Sequence, residues 1–197
     1  MGYRKLNYLL LLALVSMCIG GAAQTGGLKK GAKAPLFEAM DAKGIRYNLS
    51  DLLKQGPVVL VFYRGYWCPF CNRHLSELQQ ALPAIKAKGA RLIAITPEKP
   101  DFIEKTIDKT NAGFPLLHDA DLSIINAYQV AFPLKDDVLN RYKNAGIDLQ
   151  TINGNKGNIL PVPALYIVNQ EGVIVYSFYD PNYRNRAPVA EILSKIP

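Results

Sequence analysis

The chain has 197 residues, of which 49% are hydrophobic and 20% charged, a composition typical of a soluble globular domain. The chain has 23 Lys and Arg and 16 Asp and Glu, which gives a formal net charge of +7. The basic residues are scattered and do not form a stripe interleaved with aromatic residues, so we expect no nucleic-acid partner. We interpret the charge as a solvated basic surface.

The first 23 residues have the pattern of a secretory signal peptide. Arg4 and Lys5 form a basic start, an apolar run extends from Tyr8 to Gly20, and Gly21-Ala22-Ala23 supplies small residues for cleavage. The run is shorter than the ~20 residues that span a bilayer. We therefore expect export to the periplasm or secretion, with no membrane span after the signal is cleaved.

Cleavage after Ala23 also changes the cysteine count. It removes Cys18 and leaves Cys68 and Cys71 as a single pair in a compartment where disulfides persist. Acylation of Cys18 in a lipoprotein is a less favoured alternative, because Met17 stands where such signals place a very small residue. The pair closes a loop too short to stabilise a fold by restraining the unfolded chain. We therefore expect these two thiols to carry out chemistry.

Residues 24–33 are rich in Gly and Lys and are predicted to be a flexible tether. The domain itself is expected to run from residue 34 to residue 197, without internal repeats or low-complexity segments. Its first clear element is Val58–Tyr63, where continuous β-branched and aromatic residues indicate a strand buried on both faces.

A helix is predicted to begin at Pro69, where the fixed φ of proline and its missing N–H suit a first turn. Apolar residues at spacings of three and four give this helix one apolar face: Leu75, Leu78, Leu82 and Ile85. Pro83 is expected to kink the helix and Gly89 to end it.

The rest of the chain continues the alternation of strands and helices. Strands are predicted at Arg91–Thr96, Phe114–Leu117, Ala164–Val168 and Val173–Ser177, and helices at Pro100–Lys109, Asp121–Tyr128, Asp136–Asn144 and Val189–Lys195. The last two strands flank Asn169-Gln170-Glu171-Gly172, which is typical of a hairpin, and residues 153–158 are a loop by composition. The pattern predicts an α/β fold with a central mixed sheet and helices on both faces.

The stretch Cys68-Pro69-Phe70-Cys71 connects the buried strand with the first long helix. We place Cys68 at the helix N-cap and Cys71 one turn inside, where unpaired N–H groups and the helix dipole favour a thiolate. A lower thiol pKa raises the reactive fraction near neutral pH. The spacing also brings the two sulfur atoms into disulfide range, so that Cys71 can attack an adduct formed on Cys68. Arg64 and Arg73 add positive charge nearby.

Three interpretations of the pair are open. Inert buried cysteines on a non-catalytic binding module are one, since a free Cys packs like a small hydrophobe. A zinc site is another, with Cys68, Cys71, His74 and His118 as candidate ligands, but no second Cys pair follows. Redox catalysis is favoured, and it requires no metal or other cofactor. On this interpretation His74 and His118 are expected to be structural.

At these residues the sequence resembles the thioredoxin superfamily. Trp67-Cys68 looks like the opening of the thioredoxin active site, and the domain as a whole is most similar to a peroxiredoxin-like branch of the alkyl hydroperoxide reductase and thiol-specific antioxidant (AhpC/TSA, redoxin) family. Further matching stretches are Ala34–Phe37, Phe62–Gly65, Phe114–Asp119, Pro161–Ala164 and Tyr179–Arg186. The resemblance implies a thioredoxin-like fold and an antioxidant oxidoreductase.

The resemblance also implies roles for residues beyond the cysteines. Pro163 falls where the superfamily carries a cis-proline that faces the active-site cysteines and shapes where a substrate docks. Arg184 or Arg186 is expected to steady the thiolate and the peroxide, and the sequence leaves open which of them does so. Substrate contacts are further expected from residues around the pair: Arg64, Gly65, Trp67 and Pro69.

Two departures from the peroxiredoxin pattern affect the expected activity. Peroxiredoxins carry a proline and a threonine at the positions that Val61 and Gly65 occupy here. The threonine hydroxyl helps to hold the peroxide, so its absence favours dithiol–disulfide exchange as an alternative to peroxide reduction.

Two redox activities are therefore expected. In one, Cys68 reduces a hydroperoxide and Cys71 is the resolving thiol. In the other, the protein is a thiol-disulfide oxidoreductase of the cell envelope, and Cys68 attacks a substrate disulfide. Either activity requires a thiol electron donor, such as a thioredoxin-like protein.

Overall fold

The computed structural model describes residues 26–154 and 158–197. The predicted signal peptide, the first two residues of the predicted tether and residues 155–157 of the predicted loop lie outside these ranges. Within the described ranges, none of the helices combines the length and the apolar character needed to cross a membrane.

The described residues form nine strands: β1 (Glu38–Asp41), β2 (Arg46–Asn48), β3 (Val58–Phe62), β4 (Arg91–Thr96), β5 (Leu116–His118), β6 (Ala131–Pro133), β7 (Ile159–Pro161), β8 (Ala164–Val168) and β9 (Ile174–Tyr179). Seven of them make one sheet in the order β2-β1-β5-β4-β3-β8-β9. Strands β3, β4 and β5 run parallel, and the other neighbours run antiparallel. Strands β6 and β7 form a separate antiparallel pair.

The same residues form seven helices: α1 (Leu49–Leu53), α2 (Pro69–Ala87), α3 (Pro100–Thr110), α4 (Ser123–Ala127), α5 (Asp136–Asn144), α6 (Leu149–Asn153) and α7 (Val189–Lys195). Alternate residues of β3 face opposite sides of the sheet. Val59 and Val61 pack into a core with α2, α3 and α7, whereas Leu60 and its alternate neighbours pack with α1 and α4. Helices therefore cover both faces, and the predicted α/β class with a mixed sheet is confirmed.

Most predicted elements are present, with changes at their ends. Strands β4 and β8 and helices α5 and α7 have the predicted bounds, and α2 begins at Pro69 and continues through Pro83. Gly89 follows the helix with φ +73, a left-handed conformation that suits the predicted stop. The helix predicted at Asp121–Tyr128 is shortened to α4, because Leu122 before it adopts a left-handed φ of 64°.

Part of the predicted tether, residues 26–33, differs from the expectation of a flexible segment. Its backbone bonds to the edge strand β9, with the N–H of Gly31 donating to the carbonyl of Ile174 over 2.8 Å. Gly27 has a φ of +67°, and a Cβ there would lie 2.5 Å from the hydroxyl oxygen of Tyr166. This glycine lets the chain approach the sheet closely, so these residues form part of the domain.

Strands β6 and β7 and helices α5 and α6 form a unit that we name the cap. Of these elements, only α5 is predicted from sequence. Buried Leu149, Ile152 and Leu160 of the cap make a small apolar cluster, against which Tyr66 and Trp67 pack. The cap therefore lies over the loop that connects β3 with α2.

Candidate active site

Cys68 and Cys71 lie where the sequence placed them, at the N-cap and in the first turn of α2. The turn before the helix is closed by the N–H of Cys68, which donates to the carbonyl of Gly65 over 3.0 Å. The two Sγ atoms are 2.8 Å apart, and both cysteines are reduced and buried. Because a disulfide has an S–S distance of ~2.05 Å, only a small movement is needed to reach it when an oxidant removes two electrons from the pair.

The two thiols share a hydrogen bond that moves their pKa values in opposite directions. This bond raises the pKa of Cys68, and burial raises it further. Burial alone would raise the pKa of Cys71, but the hydrogen bond with Cys68 and the charge of Arg186 lower it to about 6. The pair therefore releases one proton below neutral pH and retains the other.

The position of this negative charge differs from the sequence prediction, which placed it on Cys68. In the structure Nη2 of Arg186 lies 3.3 Å from the Sγ of Cys71, and this contact stabilises the thiolate on Cys71. The same guanidinium donates to the carbonyls of Tyr183 and Asn185, which fix its direction.

The structure also distinguishes Arg186 from Arg184. Arg184 is exposed, and its guanidinium carbon lies 5.8 Å from the ring centroid of Phe70 and 5.8 Å from that of Tyr183. Of the two arginines that the sequence left open, Arg186 faces the thiol pair. Arg184 and Arg73 are both placed over Phe70, on the outer side of α2.

Arg64 is a buried cation held by aromatic rings. It is 6% exposed, and its guanidinium carbon lies 4.8 Å from the ring centroid of Trp67 and 4.5 Å from that of Tyr183. Its Nη2 donates to the hydroxyl of Tyr142 in the cap. At Cys68 the hydrogen bond with Cys71 and burial outweigh the charge of Arg64 and raise the pKa, whereas at Cys71 that charge adds to the lowering of the pKa.

Gly65 is required by the packing of the loop. Its φ is +152°, and a Cβ would lie 2.5 Å from Nε1 of Trp67 and 2.8 Å from Oε1 of Glu98. The absence of the peroxiredoxin threonine thus has a structural reason, because this site has no room for a side chain.

Glu98 is the site residue that sequence reasoning missed. It is fully buried after β4, where one carboxylate oxygen accepts from the N–H of Tyr66 over 2.7 Å and the other from the hydroxyl of Thr106 over 3.1 Å. Burial raises the pKa of Glu98 to about 7, although both hydrogen bonds oppose the shift. The sequence did offer a signal for Glu98, which is a carboxyl group shortly after the apolar strand β4. Functional groups of α/β proteins often lie at the carboxyl ends of parallel strands.

The peptide bond before Pro163 differs from the predicted cis form. No peptide bond among the described residues is cis, so the bond before Pro163 is trans and the expected cis-proline is wrong. The N–H of Val162 donates to the carbonyl of Val130 over 2.7 Å, which holds the chain extended as it enters β8. Trans is also the lower-energy form of an X–Pro bond, by about 0.5–1 kcal/mol.

Pro163 and Arg64 line an apolar cavity of about 460 Å³ between the cap and the ends of β8 and β9. Tyr142 and Leu160 of the cap and Tyr183 form much of the remaining wall. The cavity therefore adjoins the buried cation that faces the thiol pair.

The two histidines are not brought together. His74 is buried on α2, and His118 lies on β5, opposite Met40 of β1. Within residues 26–154 and 158–197, no group of three or more His, Cys, Asp and Glu side chains has an arrangement that suits a metal ion.

Comparison with known proteins identifies the family. Residues 30–177 match the model of the AhpC/TSA family. The chain belongs to this family. It is 31% identical to the thiol-disulfide oxidoreductase ResA of Geobacillus kaustophilus over 101 residues, 51% of this chain and 57% of that protein. It is 25% identical to a candidate peroxiredoxin of Mycobacterium tuberculosis over 157 residues, 80% of this chain and 88% of the relative.

The crystal structure of peroxidoxin BcpB from Mycobacterium tuberculosis has a similar fold. The TM-score is 0.66 at 18% identity, and the match covers 85% of this chain and 96% of that chain. This likeness confirms the predicted thioredoxin-like fold. Together the family and its relatives make the chain an oxidoreductase, as predicted, and both expected redox activities are compatible with them.

Proposed function

We propose that the protein is a thiol peroxidase in which Cys68 reduces a hydroperoxide and Cys71 resolves the product. The observation that carries this proposal is the geometry of the pair. Two sulfur atoms lie 2.8 Å apart, and Nη2 of Arg186 lies 3.3 Å from one of them. The anionic Cys71 sulfur can take the proton of Cys68 and so generate the nucleophile, and the fixed cation beside the pair can stabilise charge that develops on the peroxide.

The first step uses the shared proton. Its transfer from Cys68 to Cys71 places the negative charge on the N-cap sulfur, at the end of the loop. The Cys68 thiolate attacks one oxygen of the hydroperoxide and the O–O bond breaks. Cys68 becomes a sulfenic acid, and the second oxygen takes the proton held by Cys71 and leaves as an alcohol or water, which leaves Cys71 as a thiolate.

The second step forms the disulfide. The Cys71 thiolate attacks the sulfur of the sulfenic acid, and hydroxide leaves and takes a proton to become water. The pair has then given two electrons to the peroxide. Two equivalents of a donor thiol return these electrons.

Thiol–disulfide exchange is the second candidate, and Gly65 is the observation that favours it. The packing of Trp67 and Glu98 excludes a side chain at this position, so no hydroxyl is available there to hold a peroxide. In this mechanism Cys68 attacks a substrate disulfide and forms a mixed disulfide. Cys71 then attacks Cys68 and releases the reduced substrate. The ResA relative carries this type of activity in its name.

The test uses Trp67, the single tryptophan of the chain, which precedes Cys68. Reduced protein is mixed with hydrogen peroxide, and its fluorescence is followed by stopped flow with parallel thiol counting. We expect oxidation at least about 100-fold faster than that of free cysteine at the same pH. Cys68→Ser should abolish oxidation, whereas Cys71→Ser should still be oxidised at Cys68, more slowly because the proton acceptor is lost, and should stop at the sulfenic acid.

A rate equal to that of free cysteine would remove the peroxidase proposal. Accelerated reduction of insulin by the same preparation, in the presence of dithiothreitol, would then support exchange. If neither reaction depends on Cys68, the scaffold is a binding module.

We also propose that the protein acts after export. Support comes from the basic start, the apolar run and the small residues up to Ala23, all of which lie outside the described residues. The intact mass of the mature protein tests this directly. A mass that begins at Gln24 is expected. A lipid on Cys18 would support export with a membrane anchor in place of cleavage after Ala23, and a retained Met1 would contradict the proposal.

A further inference from the structure

A second cleft, of about 690 Å³, shares Arg186 with the thiol pair. We name it the charged cleft. Its charged residues come from α2, from the loop after β9 and from α7, and they are Arg73, Glu77, Asp180, Arg184, Arg186 and Glu191. The wall thus presents equal numbers of positive and negative groups.

The arginines of this cleft are not neutralised by carboxylates. In the described parts of the chain the salt bridges join other residues, on β1 and β2, on α1 and on α5. Arg73 instead lies over the ring of Phe70 at 5.4 Å, and Arg184 lies over the same ring at 5.8 Å. Their guanidinium donors therefore remain available to a ligand carboxylate.

His74 provides an independent indication of a ligand. It lines the charged cleft and is 4% exposed, and its Nε2 has no hydrogen-bond partner among the described residues. Burial first and the charge of Arg186 second lower the pKa of His74 to about 4, so the ring is neutral at neutral pH. A buried polar atom without a partner is costly, and a ligand N–H or S–H would satisfy it.

We propose that the charged cleft binds a small zwitterionic thiol, with carboxylate and ammonium groups, that reduces the Cys68–Cys71 disulfide. The proposal rests on the proposed function, because a peroxidase of this kind must be reset by a thiol. The volume of the cleft, about 690 Å³, lies in the range of small-molecule sites. The two signs of charge in the wall match a molecule that carries both.

Two thiol molecules are needed to reduce the Cys68–Cys71 disulfide. The ligand thiolate attacks the Sγ of Cys71, a new S–S bond forms, the Cys68–Cys71 bond breaks, and Cys68 leaves as a thiolate that takes a proton. A second thiol attacks the ligand sulfur of the mixed disulfide and releases Cys71 and the oxidised ligand. Because the disulfide is neutral, it no longer attracts Nη2 of Arg186, which can then bond the ligand carboxylate while Nη1 keeps its bonds to the carbonyls of Tyr183 and Asn185.

Reduced glutathione and its diethyl ester provide a matched pair of probes, because esterification removes both carboxylates and keeps the thiol. The disulfide form is prepared with diamide, and its reduction by each probe is followed through Trp67 fluorescence. After correction for thiolate fraction, we expect glutathione to react about 10-fold faster than the ester. The double variant Arg73→Ala/Arg184→Ala should lose this advantage. Arg46→Ala, which removes an exposed charge on β2, should keep it.

Equal rates for the two probes with wild-type protein would overturn the proposal. So would a double variant that retains the preference, or a disulfide that only a thioredoxin-like protein reduces. Because diamide makes the disulfide, a protein that fails to react with peroxide would lose the proposed function while this test remains decisive.

Discussion

The β3–α2 unit and the cap meet at Trp67, yet they are stabilised differently. Every residue of β3 is buried and α2 buries one face, whereas α5 in the cap has no buried residue. The β3–α2 unit therefore fixes the sulfur atoms, and the cap adds Tyr142 and the wall of a cavity through few contacts. The reacting atoms therefore lie on the more deeply buried part of the fold, and the wall of the adjoining cavity lies partly on a less buried one.

Truncation of a buried side chain is the strongest way to test this difference. Leu78→Ala should lower the free energy of unfolding by about 3 kcal/mol, because it leaves a cavity in the core beneath α2. Val138→Ala on α5 is the matched control and should cost under about 1 kcal/mol. Urea denaturation measures both, and equal losses would show that the cap is as tightly packed as the core.

Gly65 joins the two regions, and Gly65→Thr tests this junction. The new Cβ would meet Trp67 and Glu98 in a backbone conformation that favours glycine. We expect a loss of about 2 kcal/mol in stability, a changed Trp67 fluorescence and slower oxidation by peroxide. A variant that is stable and reacts faster would show that the threonine is tolerated and that the loop is less constrained.

The variant Glu98→Gln tests the buried side of the site, where Glu98 lies. Burial first raises the pKa of Glu98 from 4.5 to about 7, so between these values the folded state holds a proton that the unfolded state has released. Wild-type stability should therefore fall as the pH rises through this window, by about 1–3 kcal/mol. Denaturation at several pH values should show a flatter profile for Glu98→Gln. Identical profiles would mean that Glu98 is ionised throughout.

Tyr142→Phe should have the smallest effect. It removes the hydroxyl that accepts from Arg64 and keeps the ring that lies 5.1 Å from that of Trp67. We expect a change below about 1 kcal/mol in stability and a slightly different Trp67 emission spectrum. A loss as large as that of Leu78→Ala would place the cap among the main stabilising elements.

The sequence predicted the elements whose apolar pattern is long or continuous. Strand β3, helix α2 and helix α7 follow from such patterns, and so does the placement of Cys68 and Cys71 at a helix start. Strands β1, β2, β6 and β7 have three or four residues each, which is too few for a period to be recognised.

The residue pattern alone predicted the two cysteines, and the family resemblance added Arg186 as one of two candidates, but the contacts between distant parts of the site were not predictable. The contact of Arg186 with Cys71 joins residues far apart in the chain, as does the bond between Tyr66 and Glu98. Neither contact produces a local sequence pattern from which it could be predicted. The sequence placed the charge on Cys68 from the helix start alone, whereas the contact of Arg186 with Cys71 favours the other sulfur.

The central claim is that one proton is shared between two sulfur atoms beside a cation. Titration of thiolate absorbance in the reduced protein tests it most directly, with Arg186→Ala and Arg184→Ala as a matched pair. We expect one thiolate per chain to form with a pKa of about 6, and Arg186→Ala alone to raise that value. Two thiols that both ionise near the free-cysteine value of about 8.5, or equal shifts in the two variants, would contradict the account.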